Sequence, residues 1–518
     1  MTSLIYLLQM TQRKYVNSMI SCWFIVNCTT KKERTRYLKM LSSGVRCFIA
    51  RRLSTGTSAV THFPKVCIIG SGPAGFYTAQ QILKGHATAQ VDMYEKLPVP
   101  FGLVRYGVAP DHPEVKNCIN TFTQTAAKER FSFLGNVTIG KDVTFSELRE
   151  AYHAVVLAYG AAQDRRLNIP GESLPNVLSA QQFVGWYNGL PENVNLKLNL
   201  DVESVAIIGQ GNVGLDVARI LLTPVDMLRK TDIPENVLEN LNKSHVRHVT
   251  LVGRRGPEHV AFTIKELREM VNLVGCRPHL RQEDYQHLRG LIPNLPRPRK
   301  RLLELLAKTA LDGPDSKLAS AWAAAEKKWS LRFLLSPVEV LATADGQAVC
   351  GVKLAKNRLK GEGVNQRAMP TDETETLECG LLLRSIGYKG VSVDPSLPFD
   401  WQTGTISNDN GRVIGHNGIY VSGWIGTGPV GVILSTMTSG FNTGKAVVAD
   451  IEAGLVNILE PRGGKIDVLN ILKKRGVQPV SFDQWTRLDC YEVENGTRFG
   501  KPREKITDIK QMLDIVHP

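Results

Sequence analysis

The chain has 518 residues, 43% of them hydrophobic and 22% charged, a composition that excludes a disordered or fibrous protein; at about 150 residues per domain, two to four globular units fit this length. Its net charge of +14 is concentrated at one end, because residues 1–60 carry ten Lys or Arg against Glu33 alone, a net +9. The rest of the chain is only mildly basic, which argues against a nucleic-acid-binding body, and no run reaches the roughly 18 uninterrupted apolar residues of a membrane span.

The leader, residues 1–60, is basic, rich in Ser and Thr and almost free of acids, the composition of a mitochondrial transit peptide. Residues 40–59 hold no acid, and Arg46, Arg51 and Arg52 interleave with Val45, Phe48, Ile49 and Leu53, as in a basic amphipathic helix. Met40 is an alternative start, and the apolar stretch 19–26 is too short to cross a bilayer.

The first buried-strand pattern covers residues 66–69. Gly70, Gly72 and Gly75 follow, then a helical pattern over 76–83 and a strand over 91–95 that ends on Glu95. The first glycine permits a tight turn, the second lets a pyrophosphate approach the backbone, and the third lets helix and strand pack. The helix N-terminus then faces the phosphates. Glu95, 20 residues after Gly75, is placed to hold a ribose hydroxyl and would repel a 2′-phosphate, which suits FAD or NAD. An ordinary glycine-rich turn is the competing reading, and the complete strand-glycine-helix-strand-acid pattern outweighs it.

Residues 154–159 form another strand, ending at Gly160. A second unit begins at 205–208, followed by Gly209, Gly211, Gly214 and a helix over 215–222. Residues 224–245, with Pro224, Pro234 and several Asn, read as a polar surface insertion. The next strand, 248–253, ends in Arg254 and Arg255. Guanidinium is the bidentate partner of a phosphate, so this unit is expected to take NADP(H), unless the arginines merely cap a surface strand. Residues 381–386 form a further strand ending at Gly387, and the chain returns at 418–423. Together the pattern predicts an α/β fold of two Rossmann-like dinucleotide-binding domains: an FAD domain of residues 64–162 and 390–518, and an NADP domain, 163–389, inserted into it.

None of the nine cysteines lies in a Cys-x-x-Cys pair, and no Cys/His spacing suggests a metal site or cluster. Electrons passing from NADPH to a flavin therefore have no protein disulfide to reduce. A flavin takes up an electron pair and releases electrons singly, so a one-electron protein acceptor fits.

Several stretches are distinctive: residues 101–113 (Phe-Gly-Leu-Val-Arg-Tyr-Gly-Val-Ala-Pro-Asp-His-Pro), 209–213, 252–257 and 261–269, and Gly423 and Trp424 followed by Gly428 and Pro429. From about residue 64 to the C-terminus the chain resembles the mitochondrial adrenodoxin-reductase family, ferredoxin–NADP reductases of the glutathione-reductase-like fold. The resemblance implies FAD contacts at Ala74, Glu95, Leu103, Ile139, Trp424, Gly431, Val432 and Ile433. It implies NADP contacts at Gln210, Gly211, Asn212, Val213, Arg254, Arg255, Glu266 and Gly431. Trp424 stands where most relatives with two dinucleotide domains carry Asp, a departure that matches this family. Arg268, Arg297 and Arg301 match positions that dock an acidic [2Fe–2S] ferredoxin; on charge alone, the basic run 297–301 is a generic solvated face.

By the same resemblance His112 and Asp216 lie near the flavin, where they help couple electron and proton movement, although a helical Asp is by itself more often structural. The implied setting is a monomer in the mitochondrial matrix, peripheral to the inner membrane, with no nucleic-acid partner. Its ferredoxin would supply haem-thiolate monooxygenases of steroid metabolism or iron–sulfur cluster assembly. Two alternatives share the fingerprints: a flavin monooxygenase, whose usual signature between the nucleotide motifs is not apparent, and a non-catalytic NADPH sensor or scaffold.

Overall fold

Short runs rich in Val, Ile and Leu form the strands of two open sheets. In this computed structural model, residues 63–361 and 366–517 are described; the expected transit peptide lies outside them. The first sheet has the order Asn408–Asp409, Arg412–Val413, Ile419–Val421, Ala154–Leu157, Lys65–Ile69, Gln90–Tyr94 and Phe131–Leu134. Its last five strands are parallel, and Ile68 pairs with Met93 on one side and Val156 on the other. Val66, Cys67 and Ile68 have no exposed surface, as expected of a parallel sheet covered on both faces.

The second sheet is wholly parallel, in the order Val177–Ser179, Leu381–Arg384, Ser204–Ile208, His248–Val252, Lys327–Arg332 and Cys276–Pro278. A three-stranded antiparallel sheet, Leu335–Ala342, Val349–Lys360 and Arg367–Glu378, covers one of its faces, burying Val340, Val352 and Leu354 against Ala206, Ile208 and Leu382. The two passes of the chain between the large sheets run side by side: Gln163–Asp164 pairs antiparallel with Tyr388–Lys389.

Both fingerprint helices begin three residues before the expected starts, at Pro73–Gly85 and Asn212–Leu222. The first apolar-periodic residue marks where packing begins, whereas Pro73, with φ already helical, starts the helix inside the glycine motif. Residues 224–245 are not a surface insertion. They form the helices Val225–Leu228 and Glu235–Asn242 and bury Leu228, Ile233, Val237, Leu238 and Leu241 in the core that holds Val205 and Leu303. Their apolar residues recur at helical spacing, and the prolines stand just before each helix, where the missing N–H costs nothing.

The long helix Ile433–Glu452 lies along Pro73–Gly85. A Cβ on Gly440 would stand 2.8 Å from the Tyr77 Cβ, and one on Gly444 2.7 Å from the Gln81 Cβ, so the two helices approach through glycine. The terminal helices Phe482–Arg498 and Ile509–Val516 close the core of the first sheet with Trp485, Leu488 and Met512.

Candidate active site

The two glycine turns are built alike. Gly70 and Gly209 have φ of +104° and +123°, and an added Cβ would lie 2.6 Å from the Ala158 carbonyl oxygen and 2.1 Å from that of Ser385 respectively. Each turn therefore abuts the end of the strand that leads to Gly160 or Gly387. A Cβ on Gly75 would meet the Gly70 oxygen at 2.1 Å. The middle glycines differ. Gly72 and Gly211 have ordinary φ values of −73° and −107°, and an added Cβ would find nothing within 4 Å. Neither backbone strain nor a neighbouring atom calls for glycine there; a group arriving from outside does. Both helices lack a side-chain N-cap and an acid in the first turn, which leaves N–H groups free to meet a phosphate. The residues fit two dinucleotides.

The strand ends set the difference. The Glu95 carboxylate accepts from the Ser71 N–H at 3.1 Å, the Ser71 hydroxyl at 2.7 Å and the Leu97 N–H at 3.2 Å, which fixes it at the mouth of the first turn. The following loop is tied to it, Val137 N–H donating to the Glu95 carbonyl at 2.9 Å, and Ile139 lies two residues further on, half-buried. At the second turn Arg254 is exposed and Arg255 half-buried, and neither forms an ion pair among the described residues. Gln210 turns its side chain inward, donating to the Leu251 and Arg332 carbonyls at 3.1 and 2.8 Å, so it offers a dinucleotide only its backbone. Asn212 accepts from the Thr263 N–H at 2.9 Å, and the Thr263 hydroxyl donates to Glu266. Asn212 and Glu266 thus share one corner, with Val213 half-buried beside it.

Two backbone segments converge on the first turn. A Cβ on Gly102 would lie 3.1 Å from the Gly72 Cα, and one on Gly423 2.6 Å from the buried Ala74 Cβ. Around them Leu103, Val432 and Leu434 are 46%, 55% and 64% exposed. Large aliphatic side chains left open beside a phosphate turn are what a flat ring system would cover. Gly431 turns the chain with φ +90° into Val432 and Ile433, where the long helix starts without a side-chain cap. Trp424 stacks on Tyr388 with centroids 5.9 Å apart, and its buried indole N–H has no hydrogen-bond partner among the described residues.

His112 and Asp216 belong to one charged network. His112 Nε2 lies 2.8 Å from Glu269. Arg219, whose side chain is 4% exposed, donates to both oxygens of Asp111 at 2.5 and 3.1 Å and to Asp216 at 2.7 Å, with Glu269 3.4 Å away. Burial works to raise the Asp111 carboxyl, but its bonds to Arg219 hold it below the usual range. At Asp216 burial prevails over the same arginine and raises it. Burial, with the Asp216 charge second, pushes the Tyr388 phenol up to about 12, so the network reaches the stacked Tyr388 and Trp424 pair. Sequence reasoning missed Arg219, Asp111, Glu269 and Tyr388 as members. The distinctive segments 101–113 and 261–269 contain two of them.

Arg268, on helix Ile264–Val271, and Arg297 and Arg301, on helix Arg297–Ala307, are exposed. None forms an ion pair among the described residues.

A family model described as pyridine nucleotide-disulphide oxidoreductase matches residues 64–271. The mitochondrial NADPH:adrenodoxin oxidoreductase of Mus musculus is 56% identical over 88% of this chain and 92% of its own. The chain belongs to the NADPH:adrenodoxin oxidoreductase family. The Salvelinus fontinalis member is 51% identical over 93% of this chain and 98% of its own, and the Arabidopsis thaliana member 42% over 90% and 98%. Among solved structures, Mycobacterium tuberculosis FprA in complex with NADPH superposes with a TM-score of 0.81 and 37% identity, covering 88% of this chain and 100% of that one. The family membership makes the chain a flavoprotein oxidoreductase of FAD and NADP(H), with the two-nucleotide α/β fold expected from its fingerprints. Cys67, Cys118, Cys276, Cys350 and Cys379 are not joined to one another in disulfides.

Proposed function

We propose that this enzyme takes reducing equivalents from NADPH through FAD and hands them singly to an acidic [2Fe–2S] ferredoxin of the adrenodoxin type. The observation that carries the reading is the unequal finish of two matched grooves: a carboxylate at Glu95, and, at 254 and 255, arginines that have no acidic partner among the described residues. Each NADPH yields two electrons and one proton, so two ferredoxins are reduced per turnover. Bound FAD supplies the conversion from paired to single electrons. Ala74, Leu103, Ile139, Trp424 and residues 431–433 would hold it, and residues 210–213, Arg254, Arg255, Glu266 and Gly431 would hold the pyridine nucleotide. Hydride transfer needs chiefly the alignment of two rings, and His112 and Asp216, tied into one charged network by Glu269 and Arg219, help couple electron and proton movement. Arg268, Arg297 and Arg301 receive the ferredoxin.

In this reading the FAD domain is 64–162 and 390–518, the NADP domain is 163–389, and residues 1–60 direct import. The enzyme works as a monomer in the mitochondrial matrix, peripheral to the inner membrane, upstream of haem-thiolate monooxygenases or cluster assembly. A spectral titration tests the central claim. The yellow protein should bleach with NADPH and reduce cytochrome c only after an acidic ferredoxin is added. Oxygen consumption without ferredoxin dependence would make it an oxygenase, and a colourless protein a sensor.

A further inference from the structure

The first turn of helix Arg297–Ala307 sends its cations in two directions. Arg297 and Arg301 face solvent, whereas Arg299 turns back. Its Nε donates to the Glu258 carbonyl at 3.0 Å, its Nη2 to the same oxygen, and its Nη1 to the Val260 carbonyl at 2.6 Å. These acceptors belong to the turn Pro257–His259 and the residue after it, the segment that leaves Arg254 and Arg255. The near side of that segment is pinned separately. Asn357 donates to the Arg254 carbonyl at 3.0 Å, and the Leu334 N–H to that of Arg255 at 3.2 Å. The arginine pair therefore sits on a backbone gripped from both sides, and Arg299 is the grip on the far side.

Carbonyl oxygens orient a guanidinium without neutralising it. Burial acts against the Arg299 charge, the Glu258 carboxylate supports it, and the Arg255 guanidinium opposes it. Glu258 is itself shared with His259 at 3.0 Å and His287 at 3.3 Å. Arg255 and Arg299 are thus like charges in mutual reach, and a dianion beside them would relieve the repulsion.

We propose that Arg299 is a positioning residue for the 2′-phosphate of NADP(H): its clasp on the 258 and 260 carbonyls aims Arg254 and Arg255. The proposal rests on the reading of Arg254 and Arg255 as the 2′-phosphate site. Wild-type holoenzyme that bound NADP+ and NAD+ equally would remove that reading before any Arg299 variant was made.

The test is calorimetric titration of holoenzyme with NADP+, NAD+ and 2′,5′-ADP, for wild type, Arg299→Met and Arg299→Lys, with flavin content and thermal midpoint as controls of folding. Arg299→Met should weaken NADP+ and 2′,5′-ADP about tenfold and NAD+ by less than about twofold, the pattern of a phosphate site whose arginines are no longer aimed. Lysine keeps the charge but cannot span two carbonyls, so Arg299→Lys should remain about threefold weaker than wild type for 2′,5′-ADP. An unchanged NADP+ to NAD+ ratio in the Met variant, or equal losses for both nucleotides, would overturn the proposal. So would ferredoxin affinity lost with the ratio intact, which would place Arg299 on the docking face. If the Met variant fails to fold, the Lys variant decides alone, and wild-type selectivity in it overturns the clasp.

Discussion

Gly72 and Gly211 adopt backbone shapes open to any residue, and a methyl group there would touch no protein atom. Alanine at either should leave the fold intact and obstruct only what approaches from outside. Gly72→Ala is expected to fold with native secondary structure but purify with much less flavin. Gly211→Ala should keep its flavin and raise the KM for NADPH by about 10- to 100-fold, as when one or two charge-assisted phosphate contacts are lost. Gly75→Ala, whose Cβ would stand 2.1 Å from the Gly70 oxygen, should instead lower the thermal midpoint. Flavin content and circular dichroism separate the cases, and wild-type flavin occupancy in Gly72→Ala would refute the assignment. At the other strand end, Arg255→Ala should raise the KM for NADPH by about tenfold or more and leave NADH nearly unchanged; equal effects would remove the 2′-phosphate site. These residues were legible in the sequence because the chemistry is local: glycines at fixed spacing and a charge at the end of the next strand. Arg219 was not legible. An arginine in an apolar helix declares nothing about Asp111 and Glu269, which come from two other elements.

The helices Ile264–Val271 and Arg297–Ala307 show the limit of reading charge along a chain. The basic run 297–301 suggests one uniform face, yet Arg299 points in and Arg297 and Arg301 point out. Arg297→Glu is expected to weaken ferredoxin reduction and to spare NADPH-dependent ferricyanide reduction, because a small acceptor needs no docking surface. Its effect should shrink as salt rises, since exposed charges are screened over about 8 Å at physiological ionic strength. If both activities fell together, the arginines would be serving the flavin site and not a partner. Element starts were read late for a related reason. Apolar periodicity marks the buried face, while the first turns at Pro73 and Asn212 belong to the phosphate side. The segment 224–245 was misread because its prolines and asparagines hid five core residues at helical spacing.

At the scale of the whole molecule, that segment is where three distant parts of the chain meet around buried charge. Asp232 accepts from Lys116 at 2.7 Å and from Lys505 at 3.1 Å, and Lys505 also donates to the Asn188 carbonyl at 3.1 Å. Glu492, without exposed surface, accepts from Arg105 at 2.5 Å and from the Ile506 N–H at 3.0 Å. Nothing local in the sequence announces such pairings. Burial works to raise the Asp232 carboxyl, but the two lysines together hold it well below the usual range. Burial drives the Lys505 ammonium down to about 7, with Asp232 opposing the shift only in part. The unfolded lysine titrates near ~10.4, so between about pH 7 and about pH 10 the unfolded chain binds more protons at this position than the folded one. Stability from this group therefore rises with pH through that window. Asp232 acts in the opposite range: its contribution is present above about pH 4 and lost as acid protonates it. Lys505→Met removes the first effect and leaves Lys116 and Asp232 as a balanced pair. Wild type should accordingly gain thermal stability relative to Lys505→Met between about pH 7 and about pH 9, and parallel curves over that range would contradict the buried titration. Asp232→Asn removes the carboxylate that supports the Lys116 and Lys505 charges and should cost about 3–5 kcal/mol near neutral pH, as broken buried pairs do. The two variants divide the cluster's roles: the carboxylate makes the charges tolerable, and Lys505 makes the junction sensitive to pH.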